Sequence, residues 1–177
     1  DAHGKWKLLH HELKKAFAPT LLYGKWNHLG RKPRLEIGVV ANPSIHGEIQ
    51  IPGSVLVSVV NFDGTVAYMS EHPLNLTPGK AQWISLDNVP YNNNRKNIDP
   101  TRSFVQLSWI DDTCENPQTC PTKANATVFA ARPKELKLED VPVIVKPFTG
   151  GNKDSEFVLY EVSSSAFSKD VQLTATT

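Results

Sequence analysis

The sequence predicts a mainly β protein that opens with one amphipathic helix. Three observations predict it. Apolar residues recur at helical spacing only in residues 1–19. From Arg34 onward they alternate in short runs. Those runs are broken by Pro, Gly, Asn and Asp at intervals of roughly 8–12 residues.

In the opening stretch Trp6, Leu9, Leu13, Ala16 and Phe17 share one helical face, and Lys5, Lys7, Lys14 and Lys15 load the other. Asp1 is placed to cap the start. Pro19 ends the helix, because the residue before a proline is pushed out of the α region. Residues 20–33 carry Gly24, Gly30 and Pro33 among mixed charges and read as a connector. Strands then follow at Leu35, Ile37 and Val39, up to the Asn42-Pro43-Ser44 turn. Ile49 and Ile51 precede a turn signal at Pro52-Gly53. Val55, Val57 and Val59 alternate up to Asp63-Gly64, a hairpin signal. Val66 and Tyr68, then Leu74 and Leu76, lead to a further turn at Pro78-Gly79, and Trp83 and Ser85 lie on the next strand. The tract Tyr91-Asn92-Asn93-Asn94-Arg95-Lys96-Asn97 is too polar to bury and reads as a loop. Phe104 to Trp109 and Thr127 to Ala131 complete the set.

Seven or more short strands predict an immunoglobulin-like β-sandwich over residues 20–132. A second β region follows, with strands at Leu136 and Leu138, at Val141, Val143 and Val145, at Phe157 to Val162, and at Val171 to Leu173. Residues 133–177 are under half of the ~100 that a complete sandwich of this kind takes, so this unit is expected to be partial. The reading is therefore a helix (1–19), a sandwich (20–132) and an incomplete second sandwich (133–177).

Nineteen basic residues against eighteen acidic ones give a net charge of +1, so no global field calls for nucleic acid. No apolar run approaches the ~18 residues of a membrane span. The chain starts at Asp1 rather than Met, and a processed product or a piece of a longer protein is expected. Cys114 and Cys120 flank a short polar loop and are expected to form a disulfide, worth about 2–3 kcal/mol on the chain-entropy estimate. Asn75-Leu76-Thr77 and Asn125-Ala126-Thr127 are glycosylation sequons. Together they predict an oxidising, secretory compartment.

Catalytic chemistry is thin along the chain. His10-His11-Glu12 lacks the His-Glu-x-x-His spacing of a zinc helix, since position 15 is Lys. Asp111, Asp112 and Glu115 gather near the cysteine loop and read as a solvated hairpin end, ahead of a calcium site. No metal and no cofactor are expected, and no two carboxylates are placed as a glycosidase pair. Trp26, Trp83, Trp109 and Tyr91 could line a sugar-stacking surface, but sandwich cores usually absorb such residues.

Gly4-Lys5-Trp6-Lys7-Leu8-Leu9-His10, followed by Phe17-Ala18-Pro19, resembles the segment that ends the catalytic barrel of β-mannosidases of glycoside hydrolase family two. There the pattern runs roughly Gly-(Lys/Arg)-Trp-Lys-x-Leu-His-Tyr, then Phe-Phe-Ala-Pro; here His11 replaces the aromatic and Ala16 the first Phe. Pro133-Lys134-Glu135-Leu136 resembles that family's junction into its final immunoglobulin-like domain. The resemblance implies that residues 1–19 are the last helix of a TIM barrel. It implies the non-catalytic C-terminal part of a retaining exo-glycosidase that removes terminal β-D-mannose from oligosaccharides, in a lysosomal or extracellular setting. The barrel would be the partner, and its acid/base and nucleophile glutamates would lie upstream, so no catalytic residue is carried over. Asp1, Lys5 and Trp6 would lie near the last barrel loop, bordering the sugar site. The alternative is a freestanding secreted sandwich that binds carbohydrate or protein.

Overall fold

The computed structural model describes residues 17–28, 33–46, 49–87, 89–90, 98–113, 123–147 and 160–168. Residues 1–16 of the expected opening helix, with Asp1, Lys5 and Trp6, lie outside the described residues, as do Cys114 and Cys120 and the strand expected at 171–173. Its last three residues, Phe17 to Pro19, form a turn and not helix, and Phe17, expected on the buried face, is 74% exposed. Among the described residues the chain is mainly β. The strands are β1 (Thr20–Asn27), β2 (Arg34–Ala41), β3 (Ile51–Asn61), β4 (Val66–Leu76), β5 (Gln82–Leu86), β6 (Ser103–Asp111), β7 (Ala124–Val128), β8 (Ile144–Pro147) and β9 (Tyr160–Ser163). They form a three-stranded sheet ordered β1-β2-β5, a four-stranded sheet ordered β4-β3-β6-β7, and a β8-β9 hairpin. Every pairing is antiparallel.

The two larger sheets share one core. Period-two alternation turns Leu35, Ile37 and Val39 of β2 inward, opposite Val55, Val57 and Val59 of β3 and Val105 and Leu107 of β6. All eight have no exposed surface, and each such burial stabilises the fold by about 1.5–3 kcal/mol relative to an exposed side chain.

Several sequence expectations change. Leu136 and Leu138, and Val141 and Val143, expected as strands, lie outside any strand, and β8 begins only at Ile144. Residues 20–27 are strand β1 and not part of a connector. Gly24 is small because β1 lies close to the opposite sheet: a Cβ there would stand 2.6 Å from Val128 Cγ2 and 2.7 Å from Leu107 Cδ1. Pro52-Gly53 is no turn; both residues lie inside β3, where the Trp109 ring occupies the space a Gly53 side chain would take. Leu74 and Leu76 continue the strand of Val66 and Tyr68 as one long β4. The last strand of the unit, β7, starts at Ala124 and ends at Val128. Asn42-Pro43-Ser44 also opens one helical turn, α1 (Pro43–His46), where the Ser44 N–H donates to Asn42 Oδ1 at 3.0 Å and Pro43 sits where no N–H is needed.

One local device recurs at three strand ends. In Asp63-Gly64-Thr65, Asp99-Pro100-Thr101 and Asp111-Asp112-Thr113 the Asp Oδ1 accepts two hydrogen bonds from the Thr two residues on. The backbone N–H donates at 2.9, 2.8 and 2.9 Å. The hydroxyl donates at 2.6 Å in all three. The first clasp closes the β3–β4 hairpin, where Gly64 takes φ +85°. The other two bracket β6. These bonds hold the Asp63 and Asp99 carboxyls below the usual value of 3.8, with Lys137 adding to the effect at Asp99.

Beyond β7 the chain stays tied to the two-sheet unit. Pro133–Glu135 form a 3-10 turn whose Glu135 carboxylate accepts from the Arg132 N–H at 3.1 Å. The Lys137 N–H then donates to the Thr101 carbonyl at 2.8 Å. After β9, Phe167 lies among Phe62, Phe104 and Phe129, with ring centroids at 5.3, 4.6 and 5.9 Å, and its N–H donates to the Phe62 carbonyl at 2.7 Å. Phe104 points away from the core, so Phe167 covers one end of the outer face of the four-stranded sheet. Phe167→Ala is expected to lower stability by about 2 kcal/mol and to speed protease cleavage after residue 147. Unchanged cleavage and an unchanged melting temperature would show that the aromatic contact does not hold this segment.

Candidate functional site

The outer face of the three-stranded sheet carries the most distinctive surface chemistry. Tyr23 of β1 and Trp83 of β5 both pair with Gly38 of the central strand β2, from opposite sides. All three residues face outward. With strands about 4.8 Å apart, the Tyr23 and Trp83 backbones stand roughly 9.6 Å apart. Gly38 lets the Trp83 ring lean across the gap: a Cβ there would meet ring atoms at 3.0, 3.1 and 3.3 Å. Tyr23 is 51% and Trp83 58% exposed, and Leu21 extends the strip at 40%.

Polar groups line one side of this strip. Asn27 Nδ2 donates to Glu36 Oε1 at 2.7 Å, and Lys25 Nζ pairs with Glu36 Oε2 at 3.2 Å. The Asn27 bond, then the Lys25 bond, holds the Glu36 carboxyl below its usual value. Lys25 Nζ also stands 5.9 Å from the centre of the Trp83 ring system, within cation–π range. Arg34 and Asp87 pair at 2.8 Å farther along. The charges balance: two cations, two anions.

A second concavity, a cleft of about 240 Å³, lies between the β3–β4 turn and Ser164–Phe167, lined by Asn61, Asp63 and Phe104 among others.

Of the aromatic residues considered for sugar stacking, only Trp83 stands on the described surface. Trp109 is 2% exposed and Trp26 packs against the core; Tyr91 lies outside the described residues. Tyr23 was missed, because its neighbourhood read as a connector; its alternation with Leu22 and Gly24 was the available signal.

The sequon residues are both exposed and both lie in strands. Asn75 sits on β4 opposite Pro52, and Asn125 on β7 opposite Ser108, whose hydroxyl donates to Asn125 Oδ1 at 2.8 Å. Both face outward from the four-stranded sheet, in the half away from Phe104. Asp111 is 6% exposed and spends its Oδ1 on Thr113, whereas Asp112 is exposed and Glu115 lies outside the described residues. His72 is in β4, with Nε2 3.0 Å from Ser70 Oγ. Among the described residues no three His, Cys, Asp or Glu side chains converge to hold a metal ion.

No protein-family model matches the chain, and no curated protein is similar to it.

Proposed function

We propose that this chain is the non-catalytic C-terminal portion of a β-mannosidase-like retaining exo-glycosidase, joined to or associated with a catalytic barrel. The observation that carries the reading is an order of landmarks. The Gly4-to-Pro19 motif runs directly into β1, and Pro133-Lys134-Glu135 forms its turn just after β7. Between them lies a seven-stranded, two-sheet unit. Its strand order supports an immunoglobulin-like assignment: β1, β2 and β5 stand as A, B and E, and β3, β6 and β7 as C, F and G, with β4 added beside C. Residues 1–19 would be the last barrel helix, and 133–177 the beginning of a further sandwich. The sequons and cysteine pair support a secreted or lysosomal location.

The test is intact mass of the native material under reducing and non-reducing denaturation, with peptide mapping of whatever co-purifies. A barrel polypeptide carrying a glutamate pair, with hydrolysis of a β-mannoside by the complex, is the expected result. Glycan mass that disappears in Asn75→Gln and Asn125→Gln supports the secretory route. A lone chain near 19.6 kDa plus glycans, without β-mannoside hydrolysis, sinks the reading. The exposed Trp83 and Tyr23 favour one second reading, a freestanding secreted binding module.

A further inference from the structure

We propose that the Tyr23–Gly38–Trp83 strip is a carbohydrate-binding subsite that takes a neutral, flat, β-linked pyranose chain. The site stands on the geometry of the sheet, whether the chain works alone or joined to a barrel.

Two properties select this ligand. The first is shape. Gly38 leaves no side chain between the two aromatics, and the Trp83 ring leans over it, so Tyr23 and Trp83 flank one outward strip about two strand spacings wide. That width suits a disaccharide unit of an extended chain. A pyranose ring with equatorial substituents has a face of C–H groups that packs on an aromatic π-face, whose partial negative charge attracts them. A peptide or a single small apolar ligand has no need of so flat a seat.

The second property is charge and hydrogen bonding. A stacked sugar directs its hydroxyl groups sideways, in the plane of the ring. Beside the strip stand Lys25 as donor, Glu36 as acceptor and Asn27 as both, already held to one another at 2.7 and 3.2 Å. Ser85, the next outward residue on β5, offers a hydroxyl on the other strand edge. Side chains already held by one another lose less rotamer entropy when a ligand binds. The Lys25–Glu36 and Arg34–Asp87 pairs cancel, so the surface has no net sign with which to hold a phosphate or a nucleic acid backbone. A neutral ligand with one apolar face and a polar rim is what remains.

Titration of the full 177-residue chain with β-1,4-linked mannohexaose and cellohexaose, followed by calorimetry and tryptophan fluorescence, tests the site. At least one hexasaccharide is expected to bind and to change tryptophan emission. Trp83→Ala should weaken binding about tenfold or more. Gly38→Val keeps both aromatic side chains and suits a strand, but fills the space under the Trp83 ring. It should weaken binding to a similar degree, which separates a shaped strip from a merely sticky surface. Both variants should melt near the parent temperature; a Trp83→Ala chain that fails to fold leaves Gly38→Val and Tyr23→Ala to decide. No binding of either hexasaccharide at millimolar concentration, or full affinity retained in Gly38→Val and Tyr23→Ala, overturns the proposal. So does self-association in sedimentation that Trp83→Ala abolishes, since the strip would then be a protein contact. None of these results bears on the barrel reading, which stands or falls on the co-purifying polypeptide.

Discussion

Trp109→Ala is expected to destabilise the two-sheet unit by about 3–5 kcal/mol, enough to leave a domain of ordinary stability close to unfolded at room temperature. The indole is 2% exposed, sits on β6 in the middle of the four-stranded sheet and belongs to the cluster that includes Val55 and Leu107. Its removal leaves a void that no neighbouring strand can fill, since β3 and β7 hold β6 in register on both sides. Urea unfolding monitored by far-UV circular dichroism reads the change as a fall in midpoint at unchanged slope. A loss under about 1 kcal/mol would mean that the ring is not a core element.

Gly53→Ala should be nearly as damaging, at about 3 kcal/mol, for the opposite reason. A Cβ at that position would stand 2.3 Å from the Ile110 carbonyl oxygen and 2.5 Å from Trp109 Cζ2. A ring can swing aside, but a backbone carbonyl held between two strands cannot do so without breaking the β3–β6 ladder. The two substitutions should therefore be coupled. In the double variant the indole contacts vanish while the Ile110 contact stays, so the combined loss should fall short of the sum of the two single losses and should still exceed that of Trp109→Ala alone. Denaturant midpoints of the four proteins in the cycle provide the measurement. Strict additivity would show that the alanine methyl never presses on the ring.

The same pair shows why the strands were legible in the sequence and some of their limits were not. Alternation of Val55, Val57 and Val59, or of Leu35, Ile37 and Val39, reports burial on one face, and burial is what makes a strand stable. Glycine carries no such label. At Gly64 it marks a turn because φ is positive, as the Asp-Gly signal foretold. At Gly24 and Gly53 the same residue marks close packing, because a side chain of the opposite sheet or a neighbouring strand stands where a Cβ would be. Nothing local separates the two cases. For the same reason residues 20–27 read as a connector from sequence, and Tyr23 with them. Trp83 was noted, but from sequence it was one of four indistinguishable aromatic residues. Only the pairing of β5 with β2 reveals that it looks outward across Gly38 while Trp26 and Trp109 look in. Residues 1–16 and the Cys114–Cys120 pair, which carry much of the reading from sequence, lie outside the described residues.

Two of the Asp-x-Thr clasps tie local order to pH. A charged carboxylate accepts both threonine bonds more strongly than a protonated one, so the clasps at Asp63 and Asp99 are tightest while those aspartates are ionised. For Asp63 and Asp99 the folded value lies below the ordinary 3.8, so unfolding raises their proton affinity. Their contribution is complete above that ordinary value and drains away as pH falls through the lower, folded one. The β3–β4 hairpin and the start of β6 should thus keep their shape in mildly acidic solution. In stronger acid they should loosen together: two strand ends released by one kind of protonation event.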